Sequence, residues 1–440
     1  MNTHARLRTV CRIFSGMLLI LVLPVSAQAA LLQGTRLSLP MTPEASIVFE
    51  LQRQEVAGAP HLQRVLGQGP GGARLIAFVR NGKDVLSADA FTPRGHYRWR
   101  AGHWQRSNPG TWPLNRELPD WVAPSVPAAS ASAAPMAEPA ADGTYQIDIL
   151  GLITPAVLEI YGSQAAATDE VRRQIEFANV LFKNSGVPVR YAVVGVEVYS
   201  GTREYVDGHR NLNVISRDGA IAEWRDALAA DLVLLFRSPD GDASVAVARL
   251  FNGNDKNDPP QDVNPNRDAY AIVYAGESKA GYAVPYWVTA HEMGHLLGAG
   301  HNWAAHKADG LYWQSDAHGF DCGNAGNGPY ASIMSYGAVA SLVGVTVGGT
   351  AYGDFFSSPH IERDGMPCGM AAHDGPEPAQ ADNVRVITRA APYVAAYRDA
   401  NHAQARAAQP DAAAGGMGGM WLLVALLGAA RRCRFRKRLR

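Results

Sequence analysis

Cysteine is scarce in this sequence, four in 440 residues, and charge is thin at 18%. So few thiols exclude a disulfide-stapled mini-protein, while a hydrophobic share of 47% supplies enough apolar surface for two or more cored domains. Glycine (44) and proline (27) are only modestly above ordinary usage, so the composition excludes collagen, coiled coil and wholesale disorder. Acid is missing from both ends. Residues 1–29 carry Arg6, Arg8 and Arg12 with no acid, and residues 431–440 carry seven basic residues with no acid. Without those ends the chain holds 30 basic against 40 acidic residues, so the body is net negative and no nucleic-acid partner is expected.

The ends read as addresses. A basic start, an apolar run from Ile13 through Val25 and then Ala27-Gln28-Ala29 make the three parts of a secretory signal peptide, residues 1–29. A retained anchor is the weaker alternative, because the run is short and closes on small residues. At the other end, low-complexity residues 401–419 finish in Gly415-Gly416-Met417-Gly418-Gly419, and residues 420–440 follow with the apolar stretch Met420–Ala430 and a basic tail. The uncharged stretch from Ala412 is 19 residues, just enough to span a bilayer, and its basic flank should stay cytoplasmic. This tail resembles GlyGly-CTERM sorting signals. The resemblance implies passage through the inner membrane and cutting near the glycines by a rhomboid-type protease; a permanent tail anchor is the plainer alternative. Either way the body is expected outside the cytoplasm, in the periplasm, at the cell surface or secreted. Cys11 and Cys433 fall in these segments, which leaves Cys322 and Cys368. In an oxidising compartment that pair reads as one disulfide, worth about 3–4 kcal/mol for a loop of about 47 residues.

Residues 124–143 are nearly all Ala, Pro, Ser and Gly and read as a linker. Before it, residues 30–123 alternate polar and apolar in Ser46–Leu51 and Leu75–Val79, with an Asn81-Gly82 turn signal, so a small β-rich unit is expected. Residues 31–123 hold 11 basic and 7 acidic residues, whereas 122–430 hold 19 and 33. Opposite charge suggests docking on the larger unit in the manner of a pro-domain. The cluster around Trp99, Trp104 and Arg94–Arg106 could instead meet an acidic partner or simply face solvent.

Residues 144–400 begin with an alternating strand, Thr144–Leu150. The spacing of Val171, Ile175, Ala178 and Phe182 predicts a helix from about Thr168 to Ser185, with Asp169 and Glu170 in its first turn and Gly186 at its end. Strands are expected at Val189–Val198, Asp231–Phe236 and Tyr270–Tyr274. That alternation indicates a layered α/β (α+β) domain with a twisted mixed sheet.

The chemistry concentrates in His291-Glu292-Met293-Gly294-His295-Leu296-Leu297-Gly298-Ala299-Gly300-His301. Helical residues four apart share a face, so His291 and His295 can offer two imidazoles to one zinc ion. Glu292 beside them is placed to take a proton from a zinc-activated water. Gly298 and Gly300 can end the helix and turn the chain, bringing His301 back as the third ligand. Three protein ligands with an open position are the catalytic zinc pattern. Lone His-x-x-x-His pairs are usually satisfied helix residues, but five fixed residues at fixed spacing are specific.

This stretch, followed by Ser332-Ile333-Met334-Ser335-Tyr336, resembles the metzincin zinc endopeptidases, whose extended histidine motif precedes a methionine turn. The resemblance implies that Met334 floors the metal and that Tyr336 reaches the metal or the developing oxyanion. On residue type alone, Met334 is ordinary core and Tyr336 is as readily a packing residue. The order of strands and helices, Phe355-Phe356-Ser357-Ser358-Pro359, Gly365 and Ala381–Arg398 are similar to reprolysin-like bacterial members, so the likeness covers about 144–400 and not 31–123. Asn302 stands where reprolysins carry Asp and astacins Glu, which leaves the subfamily open. Residues 31–143 contain no cysteine, which excludes a cysteine-switch pro-domain. Serralysin-type calcium repeats are missing too.

His306, His318, His360 and His373 lack ligand spacing and read as surface or supporting residues. Asp255, Asp258, Asp262 and Asp268 make an oxygen-rich stretch that could hold Ca2+, although a solvated loop is the plainer reading. The expectation is an exported zinc endopeptidase acting on protein or peptide substrates. The alternatives are a zinc-containing surface binding module, which would have no need of Glu292, and a hydrolase of a non-protein amide such as a cell-wall crosslink.

Overall fold

The computed structural model describes residues 36–398 apart from 107–120, 123–135 and a series of loops, among them 240–245, 252–259, 277–284, 304–311, 323–329, 336–350 and 372–379. Both proposed address segments lie outside the described residues. Among the described residues no helix is long and apolar enough to cross a membrane.

Seven strands form the N-terminal sheet: β1 (Arg36–Thr42), β2 (Ala45–Val56), β3 (Ala59–Gln68), β4 (Arg74–Arg80), β5 (Asp84–Thr92), β6 (Gly95–Arg100) and β7 (His103–Arg106). They pair consecutively and antiparallel in chain order. Asn81 and Gly82, with φ of 50° and 65°, turn the chain between β4 and β5. The two faces of β4 are both buried. Leu75, Ala77 and Val79 join Leu37, Leu39 and Phe49 in a core of the sheet's own. Ile76 and Phe78 point the other way and join Val56, Leu62 and Phe91 in the large core of the second unit. Period-two alternation thus gives this sheet two apolar faces, and the second is covered by the second unit.

Trp121–Val122 (β8) is the last described piece before the linker. It pairs parallel with the edge strand of the larger sheet. That sheet runs β10-β9-β11-β13-β12-β8, with β9 (Tyr145–Ile153), β10 (Val189–Val198), β11 (Leu232–Arg237), β12 (Val247–Arg249) and β13 (Tyr270–Tyr274). β9, β10, β11 and β13 are parallel, and β12 is antiparallel to β13. Every residue of β11 and β13 is buried, as expected of central parallel strands covered on both faces.

Helices α1 (Pro155–Tyr161) and α2 (Gln164–Asn184) follow β9, α3 (Gly208–Ile215) and α4 (Gly219–Ala227) follow β10, α5 is Trp287–His295, and α6 is Asn383–Val394. α2 starts earlier than the apolar spacing predicts. Gly162 closes α1 in the left-handed region, and the Ser163 hydroxyl caps α2 by accepting from Ala166 N at 3.2 Å. Asp169 and Glu170 therefore lie beyond the first turn and are buried. A small sheet of β14 (Asp321–Cys322), β15 (Tyr330–Ala331) and β16 (Ala351–Tyr352) and a hairpin of β17 (Ser358–Arg363) and β18 (Met366–Cys368) complete the described fold. The Cys322–Cys368 disulfide joins β14 to β18.

The first unit packs on α2. Phe91 lies 6.1 Å from Phe177, and Phe177 lies 5.7 Å from Tyr286, the residue before α5. Around this apolar centre Arg64 pairs with Glu176 at 2.7 Å, His61 (3.0 Å) and Arg80 (3.4 Å) with Asp169, and Arg74 with Asp354 at 3.2 Å. All four contacts join a basic side chain of the first unit to an acidic one of the second.

Candidate metal centre

α5 is a nine-residue helix with no exposed face: Trp287 through His295 are all buried. A fully buried helix has to be held by polar seams as well as by packing. Tyr286 donates its hydroxyl to Glu170 at 2.9 Å, and Thr289 donates to Gln174 Oε1 at 2.5 Å, so α5 is bonded side-on to α2. Gln174 also donates to Tyr274 O at the end of β13, at 2.9 Å. Burial works to raise the Glu170 carboxyl, but the Arg173 guanidinium beside it and donated bonds from Gln174, Arg173 and Tyr286 hold it below the usual carboxylate range. The Tyr286 phenol is pushed up to about 12 by burial and by Glu170, so it remains a donor at ordinary pH.

His291 and His295 stand one turn apart on α5. His291 Nδ1 lies 2.9 Å from Ile333 O, and His295 Nδ1 lies 2.8 Å from Ala299 O. A carbonyl oxygen only accepts, so both rings carry their hydrogen on Nδ1 and turn the Nε2 lone pair inward. The helix then ends abruptly. Gly298, at φ 83°, donates to His295 O and Ala299 donates to Gly294 O, both at 2.9 Å. This two-bond closure around a left-handed glycine reverses the chain. Gly300 is forced by a close approach: a Cβ there would overlap the Ala317 carbonyl and lie 2.5 Å from the Tyr312 ring.

The reversal brings His301 Nε2 to 3.0 Å from Nε2 of both His291 and His295. The three rings are buried, and their ligand atoms all lie within 4.8 Å of one another. The Nε2 lone pairs of His291 and His295 both face His301 Nε2, an arrangement that a single cation among the three nitrogens would satisfy. Nitrogens about 2.0–2.1 Å from a tetrahedral zinc lie roughly 3.3 Å apart, so the cluster fits a zinc ion with little movement. Glu292, 1% exposed, follows the first of these histidines on α5.

Beneath the helix, Gly294 admits the methionine. Its hypothetical Cβ would come within 2.8 Å of both Met334 Sδ and Phe356 Cε1, so a side chain at 294 would push that floor away. Met334 is fully buried, and its neighbour Ile333 supplies the carbonyl that holds His291. Ser332 and Ser335 bond to Phe320 N and Asp321 and fix the turn.

The structure thus brings together His291, Glu292, His295, Gly298, His301 and Met334. Tyr336 lies outside the described residues, as do His306, His373, Asp255, Asp258 and Asp262. His360 is exposed, and Asp268 is buried in an ion pair with Arg267 at 2.5 Å. His318, read from spacing as a surface or supporting residue, is buried and donates Nδ1 to His301 O at 2.8 Å. Neither this contact nor the α2–α5 seam leaves a trace in linear spacing, because each partner sits on a separate element.

Comparison with known proteins agrees with the class of this site. Residues 143–343 match the Reprolysin_5 model, described as metallo-peptidase family M12. Such a family implies a metal, usually zinc, and the three-histidine cluster is where these residues would hold it. Two curated relatives from Stenotrophomonas maltophilia bear the name peptidyl-Asp metalloendopeptidase. The chain is 29% identical to that of strain R551-3 over 116 residues, covering 26% of this chain and 24% of the relative. To that of strain K279a it is 25% identical over 283 residues, covering 62% and 58%. The chain therefore spans from a quarter to somewhat over half of their length. Among solved structures, metalloproteinase-II from Bacteroides fragilis aligns over 63% of this chain and 84% of its own at 13% identity with a TM-score of 0.34, too low to fix a fold. The family match and the two relatives together support a zinc metalloprotease, at low identity.

Proposed function

We propose that the chain is an exported zinc endopeptidase of metzincin type, made with a removable signal peptide and a C-terminal sorting segment. The observation that carries the proposal is the convergence of three buried imidazoles, with His301 Nε2 at 3.0 Å from Nε2 of both His291 and His295, and a buried glutamate next to His291 in the chain. His291, His295 and His301 would hold the metal, which when bound supplies a Lewis acid that polarises a peptide carbonyl and acidifies water. Glu292 takes a proton from the attacking water and passes it to the leaving amine. Its burial keeps that proton exchange out of bulk solvent. Met334 and Gly294 set the depth of the floor, and Tyr336 steadies the oxyanion by hydrogen bonding.

The names of the two relatives motivate a substrate class, protein chains cut beside aspartate. Chelator-sensitive digestion of an unfolded protein mixture by the purified full chain, with fragment ends read by mass spectrometry, tests both claims at once. The expected result is cleavage lost on chelation, restored by zinc and enriched at Asp. In the same assay Glu292→Gln retains one zinc per chain and loses turnover by at least about a hundredfold, the scale of a lost general base. Unchanged turnover in that variant refutes the mechanism.

A further inference from the structure

The first two metal-binding histidines are held by a helix, whereas the third belongs to a loop that must be fixed some other way. His301 has its own main chain bound on both sides. Its N–H donates to Tyr312 Oη at 3.2 Å, and its C=O accepts from His318 Nδ1 at 2.8 Å. His318 in turn lies 4.0 Å from Trp303, ring centre to ring centre, and meets Tyr312 edge-on at 5.1 Å. The residue before, Gly300, is gripped by a single side chain: its N–H donates to Asn383 Oδ1 at 3.1 Å, and its C=O accepts from Asn383 Nδ2 at 3.0 Å. Gly319 N bonds the same carbonyl at 2.8 Å. The clamp is itself anchored to α6. Asp316 is ion-paired with Arg385, and Ser357 Oγ donates to the His318 carbonyl at 2.6 Å while accepting from Asn383 N at 3.2 Å.

We infer that His318, with Tyr312 and Asn383, is a positioning residue for the metal: it sets the affinity of the centre by fixing the main chain of His301 and never touches the ion. The inference rests on the zinc reading proposed above and extends it to residues outside the histidine motif. Its physical basis is preorganisation. A loop ligand free to rotate loses conformational entropy when it binds, and a loop already bonded at both its N–H and C=O has lost it on folding. The loop that carries Tyr312 and Ala317 packs closely on Gly300, where a Cβ would collide with the Ala317 carbonyl and the Tyr312 ring.

Three variants of the full chain test the inference through zinc affinity, measured by competition with a chromogenic chelator, with the melting temperature of the metal-free protein as the control for folding. His318→Phe keeps a ring against Trp303 but removes the donor, and it should weaken zinc binding about 10–100-fold. His318→Asn restores an N–H near the Nδ1 position and should recover most of that loss. Tyr312→Phe, which keeps the ring and removes the hydroxyl that accepts from His301 N, should weaken zinc binding in the same direction. Wild-type affinity in a folded His318→Phe variant, or equal weakening in the Phe and Asn variants, overturns the inference. Should His318→Phe fail to fold, Tyr312→Phe decides: unchanged affinity there overturns it. Failure of the wild type to bind one equivalent of zinc strikes the underlying zinc reading instead, so the two failures are distinguishable.

Discussion

Phe91→Ala is the sharpest probe of how the N-terminal sheet and the unit carrying the three-histidine cluster depend on each other. Phe91 is 4% exposed, stacks on His96 with centres 4.8 Å apart and faces Phe177, which in turn meets Tyr286 at the start of α5. Truncating a buried phenylalanine removes its transfer free energy and leaves a cavity, about 3–5 kcal/mol in a site that cannot collapse. Here collapse is hindered, because one wall is a β-strand and the other the 21-residue helix α2. At roughly 2–4 °C per kcal/mol the melting temperature should fall by about 6 °C or more. Removing the whole sheet is harsher. Val56, Leu62, Ile76, Phe78 and Phe91 all belong to the core shared with the second unit. Exposing their partners forfeits on the order of 10 kcal/mol at about 1.5–3 kcal/mol per large side chain, as much as a whole domain's stability. Residues 144–400 alone should therefore aggregate or bind a hydrophobic dye, as judged by size-exclusion chromatography and thermal melting. A monomeric fragment melting cooperatively at the temperature of the longer chain refutes the reasoning and returns the sheet to the status of a detachable pro-domain.

Other consequences are narrower. Gly300→Ala forces a methyl group into the Ala317 carbonyl and the Tyr312 ring, so zinc affinity should drop at least tenfold, about 1.4 kcal/mol, while the helix ligands remain; equilibrium zinc titration reads it. Glu170 predicts an acid limit. Its folded-state value lies below the ordinary 4.5, so the folded form binds fewer protons than the unfolded form in that window. Its contribution is fully present above about pH 4.5 and disappears as pH falls through the lower folded value. Melting temperatures followed from about pH 6 to pH 3 should fall more steeply in the wild type than in Glu170→Gln. Parallel curves exclude Glu170 as the source.

Much of the second unit is legible along the chain. Strands Val189–Val198 and Tyr270–Tyr274 have the bounds that their apolar content predicts. The helix of Val171, Ile175, Ala178 and Phe182 is present but begins at Gln164, since capping by Ser163 outweighs the weaker apolar periodicity of the first turn. α1, α3 and α4 are short and carry few apolar repeats, and packing supplies what periodicity does not.

The histidine cluster and its order are legible along the chain: two histidines one helical turn apart, a glutamate between them, and a glycine-made reversal that returns a third. These are local facts, because a helical period and a left-handed glycine act over a few residues. What holds those side chains in place comes from contacts far apart in the chain. Ile333 reaches His291 across 42 positions, Asn383 reaches Gly300 across 83, and Tyr286 reaches Glu170 across 116. Such contacts form when elements distant in the chain share one core, and burial then favours a partner for most polar atoms brought inside. The same holds for the N-terminal sheet. Its alternation announces strands, but which face would meet α2 was settled by the core of the second unit that covers it.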